Sequence, residues 1–541
     1  MKKTWYKEGI VYQIYPRSFK DSNGDGIGDL RGIIEKVPYL KELGISIIWL
    51  CPVYQSPNDD NGYDISDYRQ IHPDFGTMAD MEELIDVLHQ ANIKLIMDLV
   101  VNHTSDEHEW FKKSVDKVAG YSDFYHWKKE KSNWSSFFGG EAWTYHPIRK
   151  EYYLHLFSKK QPDLNWDNPL VREEIKSVLR FWLDKGIDGF RCDVINLIGK
   201  EDGLPKGKFA FVIRGREHYL NHQKCHQYLQ EINRDVLNKY DCFTVGETAF
   251  VSPQTARLYQ NEEKRELDML FQFDHMAADN YFVKWFPKKF RPINLKKPLA
   301  KWQNELNGYG WNTLYLENHD QVRSVSRFGD TEMRNQSAKM LATMLFFQQG
   351  TPFIYQGQEI GMTNADFKAL NEYKDIESLN IYQIARKKLK YSHKKTMRLL
   401  SMASRDNART PMQWDDSEDG GFGSLHPWIG LNKNHVSINV KANLNEEDSI
   451  LNYYKKIIML RKQYPVIVYG DYQDIHKNHP RLYAYKRVLG DETLLILCNF
   501  SKKQMMLPKD IDLEGYQVIL SNTVSTERLL TPYEARVYHK K

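Results

Sequence analysis

Cysteine is scarce in this chain: five in 541 residues, at 51, 192, 225, 242 and 498, with no Cys-x-x-Cys pair. An odd number of widely spaced thiols gives no sign of zinc or redox chemistry and leads us to expect reduced thiols in a cytoplasm. Long apolar runs are missing too. No window approaches the roughly 18 uninterrupted apolar residues of a membrane span, and the N-terminus, Met-Lys-Lys-Thr-Trp-Tyr-Lys-Glu, carries charge where a signal peptide carries an apolar core. Neither sign of charge dominates: 75 basic and 71 acidic residues leave a formal +4. Nucleic acid and membrane are therefore not expected as partners, and a neutral small molecule is. Internal repeats, low-complexity linkers and a disordered tail are also absent. Aromatic residues, at 13% with 13 Trp and 33 Tyr, are plentiful. They suit stacking on sugar faces and equally suit a large core.

What the chain does have is a recurring pattern. Short apolar runs bounded by turn signals lie at Ile10 to Pro16, Ile45 to Pro52, Lys94 to His103, Gly189 to Asn196, Phe243 to Ala249, Asp268 to His275, Asn312 to Asp320 and Pro352 to Gly357. Helically spaced stretches separate most of them: Leu30 to Leu43, Met78 to Ala91, Leu170 to Lys185, Glu217 to Tyr240 and Met333 to Gln349. Strands alternating with helices in this number describe an α/β chain folded as a (β/α)8 TIM barrel. The alternative is an open doubly wound sheet, but no Gly-rich phosphate turn follows the first strand.

The residues from Thr104 to Pro169 are far more than an ordinary βα loop and read as an inserted subdomain after the third strand. A second insert, Met362 to Ala408, carries a basic helical segment at Ala385 to Lys395 that reads as a solvated face. From about Val466 the pattern alternates, with a hairpin signal at Gly490-Asp491, and predicts a C-terminal antiparallel β-sandwich domain. The expected organisation is barrel over 1–103 and 170–465, inserted subdomain over 104–169, and β domain over 466–541.

Five of the strand-like runs end in polar or charged residues: Asp98 and His103, Asp193, Glu247, His319 with Asp320, and Gln358 with Glu359. In a barrel these ends share one mouth, where such folds keep their active sites. Period-two geometry places Arg191 and Asp193 on one face of a strand, so the Arg can hold the carboxylate ionised. One buried Arg-Asp pair is more often structural, whereas several converging carboxylates repel each other and favour a functional site.

Five motifs at these strand ends resemble the α-amylase family of glycoside hydrolases, in its oligo-1,6-glucosidase and α-glucosidase branch. They are Asp98-Leu-Val-Val-Asn-His103, Gly189-Phe-Arg-Cys-Asp-Val-Ile-Asn196, Val245-Gly-Glu247, Asn318-His-Asp320 and Gly350-Thr-Pro-Phe-Ile-Tyr-Gln-Gly-Gln-Glu359. The resemblance covers essentially the whole chain. It implies that Asp193 is the nucleophile, Glu247 the general acid/base and Asp320 the carboxylate that grips sugar hydroxyls, with Arg191 orienting Asp193 and His103 and His319 donating to the same ring. Arg191 is expected to lower the pKa of Asp193 and the acidic neighbours of Glu247 to raise its own, the split that glycosidic cleavage needs. The resemblance further implies that Asp60 pairs with an Arg to close the pocket, Arg405 or Arg409 being open, and that Tyr63 stacks on the enclosed sugar. Val194 looks like the residue of α-1,6-preferring relatives. Cys192 and Val322 depart from the common pattern without removing a catalytic group.

Oxygen-bearing residues alternate through Asp21-Ser-Asn-Gly-Asp-Gly-Ile-Gly-Asp29, and the twelfth position is Gly32, so this is not a complete EF-hand. The resemblance implies a structural Ca²⁺ held by Asp21, Asn23, Asp25, the Ile27 carbonyl and Asp29. A polar turn with Asp29 capping the next helix is the alternative. The resemblance thus implies a monomeric exo-acting retaining α-glucosidase for small isomaltose-type oligosaccharides. Relatives acting on trehalose 6-phosphate, α-1,4 bonds or sucrose remain open, as does a non-catalytic amylase-like partner subunit. The run after Phe273-Asp-His275 is unlike that of sucrose isomerases.

Overall fold

The computed structural model describes residues 4–210, 213–281, 283–524, 526 and 528–541. Eight short parallel strands run β1 (Val11–Ile14), β2 (Ile47–Leu50), β3 (Lys94–Leu99), β4 (Gly189–Cys192), β5 (Phe243–Glu247), β6 (Met269–Phe271), β7 (Thr313–Leu314) and β8 (Thr351–Tyr355). They pair in the order β6-β5-β4-β3-β2-β1-β8-β7, and a parallel bridge from Leu270 to Asn312 closes the ring. Every expected strand is present, though most are shorter than their apolar runs. The surplus residues form the mouth. β7 stops at Leu314, so Asn318, His319 and Asp320 stand on a loop beyond it.

Local signals set the helix ends. Asp29 accepts from the Gly32 amide to start Leu30–Leu43, which stops at left-handed Gly44, and a Thr77/Asp80 capping box starts Met78–Gln90. The stretch expected as one helix from Glu217 to Tyr240 is broken. A 3-10 turn at Arg216–His218, the α-helix Gln223–Asp235 and a 3-10 turn at Leu237–Lys239 share it, because Asn221 is left-handed and His222 caps the α-helix anew.

Between β3 and the helix Pro169–Asp184 lie the helix Glu109–Val115 and a three-stranded antiparallel sheet of Trp127–Lys128, Glu151–Leu154 and Trp143–His146. Trp134, Trp143 and Leu154 share a small core with Leu197 and Tyr219 from the loop after β4, which fastens the insert over the mouth. The basic stretch Ala385 to Lys395 is not one helix. It spans the end of Ile376–Lys387, a turn containing left-handed Lys390, and the start of His393–Ala403.

The C-terminal strands begin at Asp471, because Pro465–Tyr469 is still helical. Strands β9 (Asp471–Ile475), β10 (Leu482–Leu489), β11 (Glu492–Asn499), β12 (Gln517–Ser521) and β13 (Ala535–Lys540) form one antiparallel sheet, with the expected hairpin closing at Leu489 opposite Glu492. One face, including Tyr483, Tyr485 and Ile496, is continuous with the barrel core. The other, with Leu482, Ala484, Leu495 and Leu497, is covered by Leu507, Ile511 and Leu530 around a two-stranded ribbon. Among the described residues, no helix is long and apolar enough to cross a membrane.

Candidate active site

The register of three neighbouring strands builds the centre. Arg191 on β4 lies beside Asp98 on β3 and Val245 on β5, so its guanidinium points where Asp98, Asp193 and Glu247 also point. Nη1 donates to Asp98 Oδ1 at 2.5 Å and Asp193 Oδ1 at 2.6 Å, and Nη2 donates to Glu247 Oε2 at 2.5 Å. One buried cation thus holds three carboxyl groups. The Val194 amide adds a 3.3 Å bond to the same Glu247 oxygen. Trp49, through Nε1, donates to Asp98 at 2.7 Å and lies under the Arg191 guanidinium.

Burial, not the salt bridge, decides the ionisation of this group. Asp193 is raised to about 6, first by burial and then by Asp98, with Arg191 opposing. The expectation that Arg191 brings it below the ordinary range is therefore corrected: the cation is shared by three acids and cannot offset the loss of water. Glu247 is raised further, to about 8, by burial and by the charges of Asp193 and Asp320 against Arg191. The order of the two acids is the one expected.

Asp320 sits in an opposite field. Its Oδ1 accepts from Arg405 Nη1 at 3.1 Å and Arg409 Nη2 at 2.8 Å. Burial alone would raise it, but His319, Arg405, Arg409 and Lys284 hold it well below the usual carboxylate range. Burial and the nearby guanidiniums push His319 down to about 3, so near neutral pH the imidazole is uncharged and the guanidiniums supply the field. Gln13 Nε2 lies 2.7 Å from His319 Nδ1, and His319 Nε2 lies 2.8 Å from the Tyr63 hydroxyl and 3.3 Å from Asp320 Oδ2.

At the far end Arg405 Nη2 meets Asp60 Oδ1 at 3.2 Å. Of the two candidate arginines, Arg405 is the one that reaches Asp60; Arg409 bonds the His319 carbonyl instead. Burial raises Asp60 to about 7. Tyr63 stacks on His319 with ring centres 5.3 Å apart. His103 Nε2 lies 3.1 Å from the Tyr63 carbonyl and 3.2 Å from Gln161 Nε2, which also donates to Asp60; burial lowers His103 to about 4. Val194 is not a strand residue: it follows β4 in a left-handed conformation, φ 36°, and packs beside the small core of the insert.

Sequence reasoning missed several members. Asp375, fully buried, accepts from Arg405 Nη2 at 2.5 Å and starts the helix Ile376–Lys387. Its sequence signal is only that of a helix cap. Gln13 and Gln161 are likewise visible as site residues only once the chain is folded, while Arg409, the open alternative to Arg405, joins the site at Asp320 and not at Asp60. Glu359, placed among the polar strand ends, does not join the carboxyl cluster: Tyr12 and Tyr39 donate to it at 2.8 and 2.7 Å.

The loop from Asp21 to Asp29 folds as a series of Asx turns. Asp21 accepts from the amides of Asn23, Gly24 and Gly26, Asn23 from Asp25, and Asp25 from Ile27. Asp29 caps the helix and takes the Ser22 hydroxyl. The donor set is all oxygen, the type a hard cation takes. Asp21, Asp25 and Asp29 do not bring three carboxylates within ligand reach of one another. Among the described residues the trio that does is Glu173, Glu231 and Asp235, and Lys176 Nζ satisfies it with three contacts of 2.7 Å.

The catalytic-domain model of the alpha amylase family matches residues 13–470. The chain belongs to that family. It is 53% identical to the oligo-1,6-glucosidase of Parageobacillus thermoglucosidasius over 99% of both chains. The crystal structure of Bacillus licheniformis trehalose-6-phosphate hydrolase is 48% identical, covers 99% of this chain and 100% of its own, and superposes with a TM-score of 0.94. Isomaltulose synthase from Klebsiella sp. LX3 is 42% identical, covers 100% of both chains and has a TM-score of 0.95. The eight-stranded barrel is the fold of this family, and the chain is a glycoside hydrolase.

Proposed function

We propose that the protein removes glucose from the non-reducing ends of isomaltose-type oligosaccharides, hydrolysing α-1,6 bonds with retention of configuration. The observation that carries this reading is Arg191, which bonds Asp193 and Glu247 through the two ends of one guanidinium, and the contact of Arg405 with Asp60 supports a closed pocket beside them. Carboxyl groups held this close favour direct attack over an interposed water. Kinship with the oligo-1,6-glucosidases supports the linkage.

Asp193 commits Oδ1 to Arg191, which leaves Oδ2 to attack the anomeric carbon. Glu247 commits Oε2 to Arg191 and the Val194 amide, which leaves Oε1 to carry the proton that passes to the departing oxygen. Asp320 and His319 take the ring hydroxyls, and Asp60 with Arg405 ends the pocket, so only a terminal glucose fits. Glu247, now ionised, takes a proton from water, and that water releases glucose from Asp193. In this reading the enzyme works as a monomer, because one chain supplies every side chain of the site. Four of its five free cysteines are buried, which suits a reducing cytoplasm.

Val194 borders Glu247 on the leaving-group side, where its branched side chain leaves less room for an α-1,4 bond than for the extra methylene of an α-1,6 bond. Side-by-side hydrolysis of isomaltose, maltose, sucrose, trehalose and trehalose 6-phosphate tests the reading. Isomaltose is expected to lead, and Val194→Thr is expected to raise maltose against isomaltose in kcat/KM by about tenfold. Preference for maltose or for trehalose 6-phosphate in the wild type would overturn it. The Asx-turn loop, we further propose, holds a structural Ca²⁺ through Asp21, Asn23, Asp25, the Ile27 carbonyl and Asp29.

A further inference from the structure

Phe250 stands three residues beyond Glu247, in the loop that follows β5 at the mouth. It is more than half exposed, at 55%, and its backbone is left-handed, with φ 55°. A bulky residue in that region is uncommon and strained, and strained residues concentrate where function holds them. Packing does not account for the ring. The Arg216 guanidinium lies against it, 5.3 Å from the ring centre.

The neighbouring loop repeats the arrangement. Phe209, 87% exposed, lies beside Arg214. Between the two arginines is Gly215, whose φ is 90° and where a Cβ would meet Trp134 Cγ at 2.4 Å. That contact pins the loop to the insert core that also includes Val194. The Phe250 rim therefore has a fixed position relative to the residue that borders the leaving sugar.

Direction decides what the rim meets. Asp60 and Arg405 close one end of the pocket, so a substrate longer than a disaccharide extends past Glu247, the group that protonates the departing oxygen. The chain of sugars then runs along the loop that carries Phe250. We infer that Phe250, with Arg216 behind it, forms a further subsite that stacks the second sugar on the leaving side, making the enzyme favour isomaltotriose and longer chains over isomaltose. This rests on the exo-glucosidase reading above and specifies its substrate length.

The test is kcat/KM on isomaltotriose divided by kcat/KM on isomaltose, each pair measured on one preparation so that the active fraction cancels. The wild-type ratio is expected to exceed one. Phe250→Ala and Phe250→Leu are expected to lower it by about fivefold or more, and Phe250→Tyr, which keeps the ring, to hold it within about twofold. A wild-type ratio at or below one overturns the subsite, as does an equal loss on both sugars in Phe250→Ala. A loss confined to trehalose 6-phosphate would place an anionic sugar at the rim and overturn the neutral-chain assignment. No turnover of either isomalto-sugar by the wild type would remove the α-1,6 reading and this inference with it; turnover without the length effect removes only this inference.

Discussion

Asp193 and Glu247 share one cation, and their remaining neighbours set them apart. Glu247 faces two carboxylates, Asp193 and Asp320, and rises to about 8, whereas Asp193, facing Asp98, rises to about 6. Asp193 must be ionised to attack and Glu247 protonated to donate. Activity is therefore lost as pH falls through about 6 and lost again as it rises through about 8, and because the pair is coupled through Arg191 both limbs belong to the pair. The pH profile of kcat/KM on isomaltose should be a bell with those limbs. Asp193→Asn should reduce turnover about a thousandfold or more, and a variant keeping above about a tenth would sink the assignment. Glu247→Gln, assayed on an aryl glucoside whose leaving group needs little protonation, should lose the alkaline limb; an unchanged limb would assign it to another group. The motif carboxylates were legible in the sequence because they stand at strand ends. The weight of burial was not, since Arg191 beside Asp193 reads as a simple ion pair until Asp98 and Glu247 are seen on the same guanidinium. Asp375 entered through a segment whose sequence signals only a helix cap, and the choice between Arg405 and Arg409 waited on the fold because both stand in one motif.

At the scale of elements, local chemistry was legible and long-range division was not. The turn signals around each strand and the cap at Asp29 marked the starts of the elements they flank. The helical spacing across Glu217 to Tyr240 continued through Asn221, where the backbone turns left-handed, so one predicted helix is three pieces. The loop from Asp21 to Asp29 takes the form of the second reading open in its sequence, a polar turn series whose last residue, Asp29, caps the following helix. If the loop holds Ca²⁺, the ion binds only the folded chain and stabilises it by about 2.7 kcal/mol at roughly 100 times Kd. Chelator should lower the melting temperature while activity at low temperature persists. Asp25→Ala removes an exposed ligand and spares the cap, so its melting temperature should no longer respond to calcium or chelator. A wild-type protein free of bound metal, with melting unchanged by chelator, would rule the ion out.

The whole molecule is joined through the inner face of the C-terminal sheet. Along β10 the alternation Leu482, Ala484 against Tyr483, Tyr485 marks two buried faces, and Arg487 falls in the apolar register of the second. In the sequence it looks out of place. In the fold it is fully buried and donates to the carbonyls of Phe347 at 2.7 Å, Ile467 at 2.7 Å and Gly470 at 2.5 Å. These carbonyls end the barrel helix Arg334–Phe346 and the short helix Pro465–Tyr469, so a guanidinium there meets both the unpaired acceptors and the negative ends of the helix dipoles. Barrel and sheet share one apolar core across this contact, and neither face could be exposed alone without stripping the other. They should therefore unfold together. All 13 Trp residues precede Asp471, so Trp fluorescence follows the barrel, while alkylation of Cys498, buried on β11, read by peptide mass spectrometry, follows the sheet. The two denaturant transitions should coincide in the wild type. Arg487→Met leaves the carbonyls without a donor and should move both midpoints down together, by about 3 kcal/mol in stability. Cys498 becoming reactive well before the fluorescence changes would show the sheet detaching first and refute the single unit.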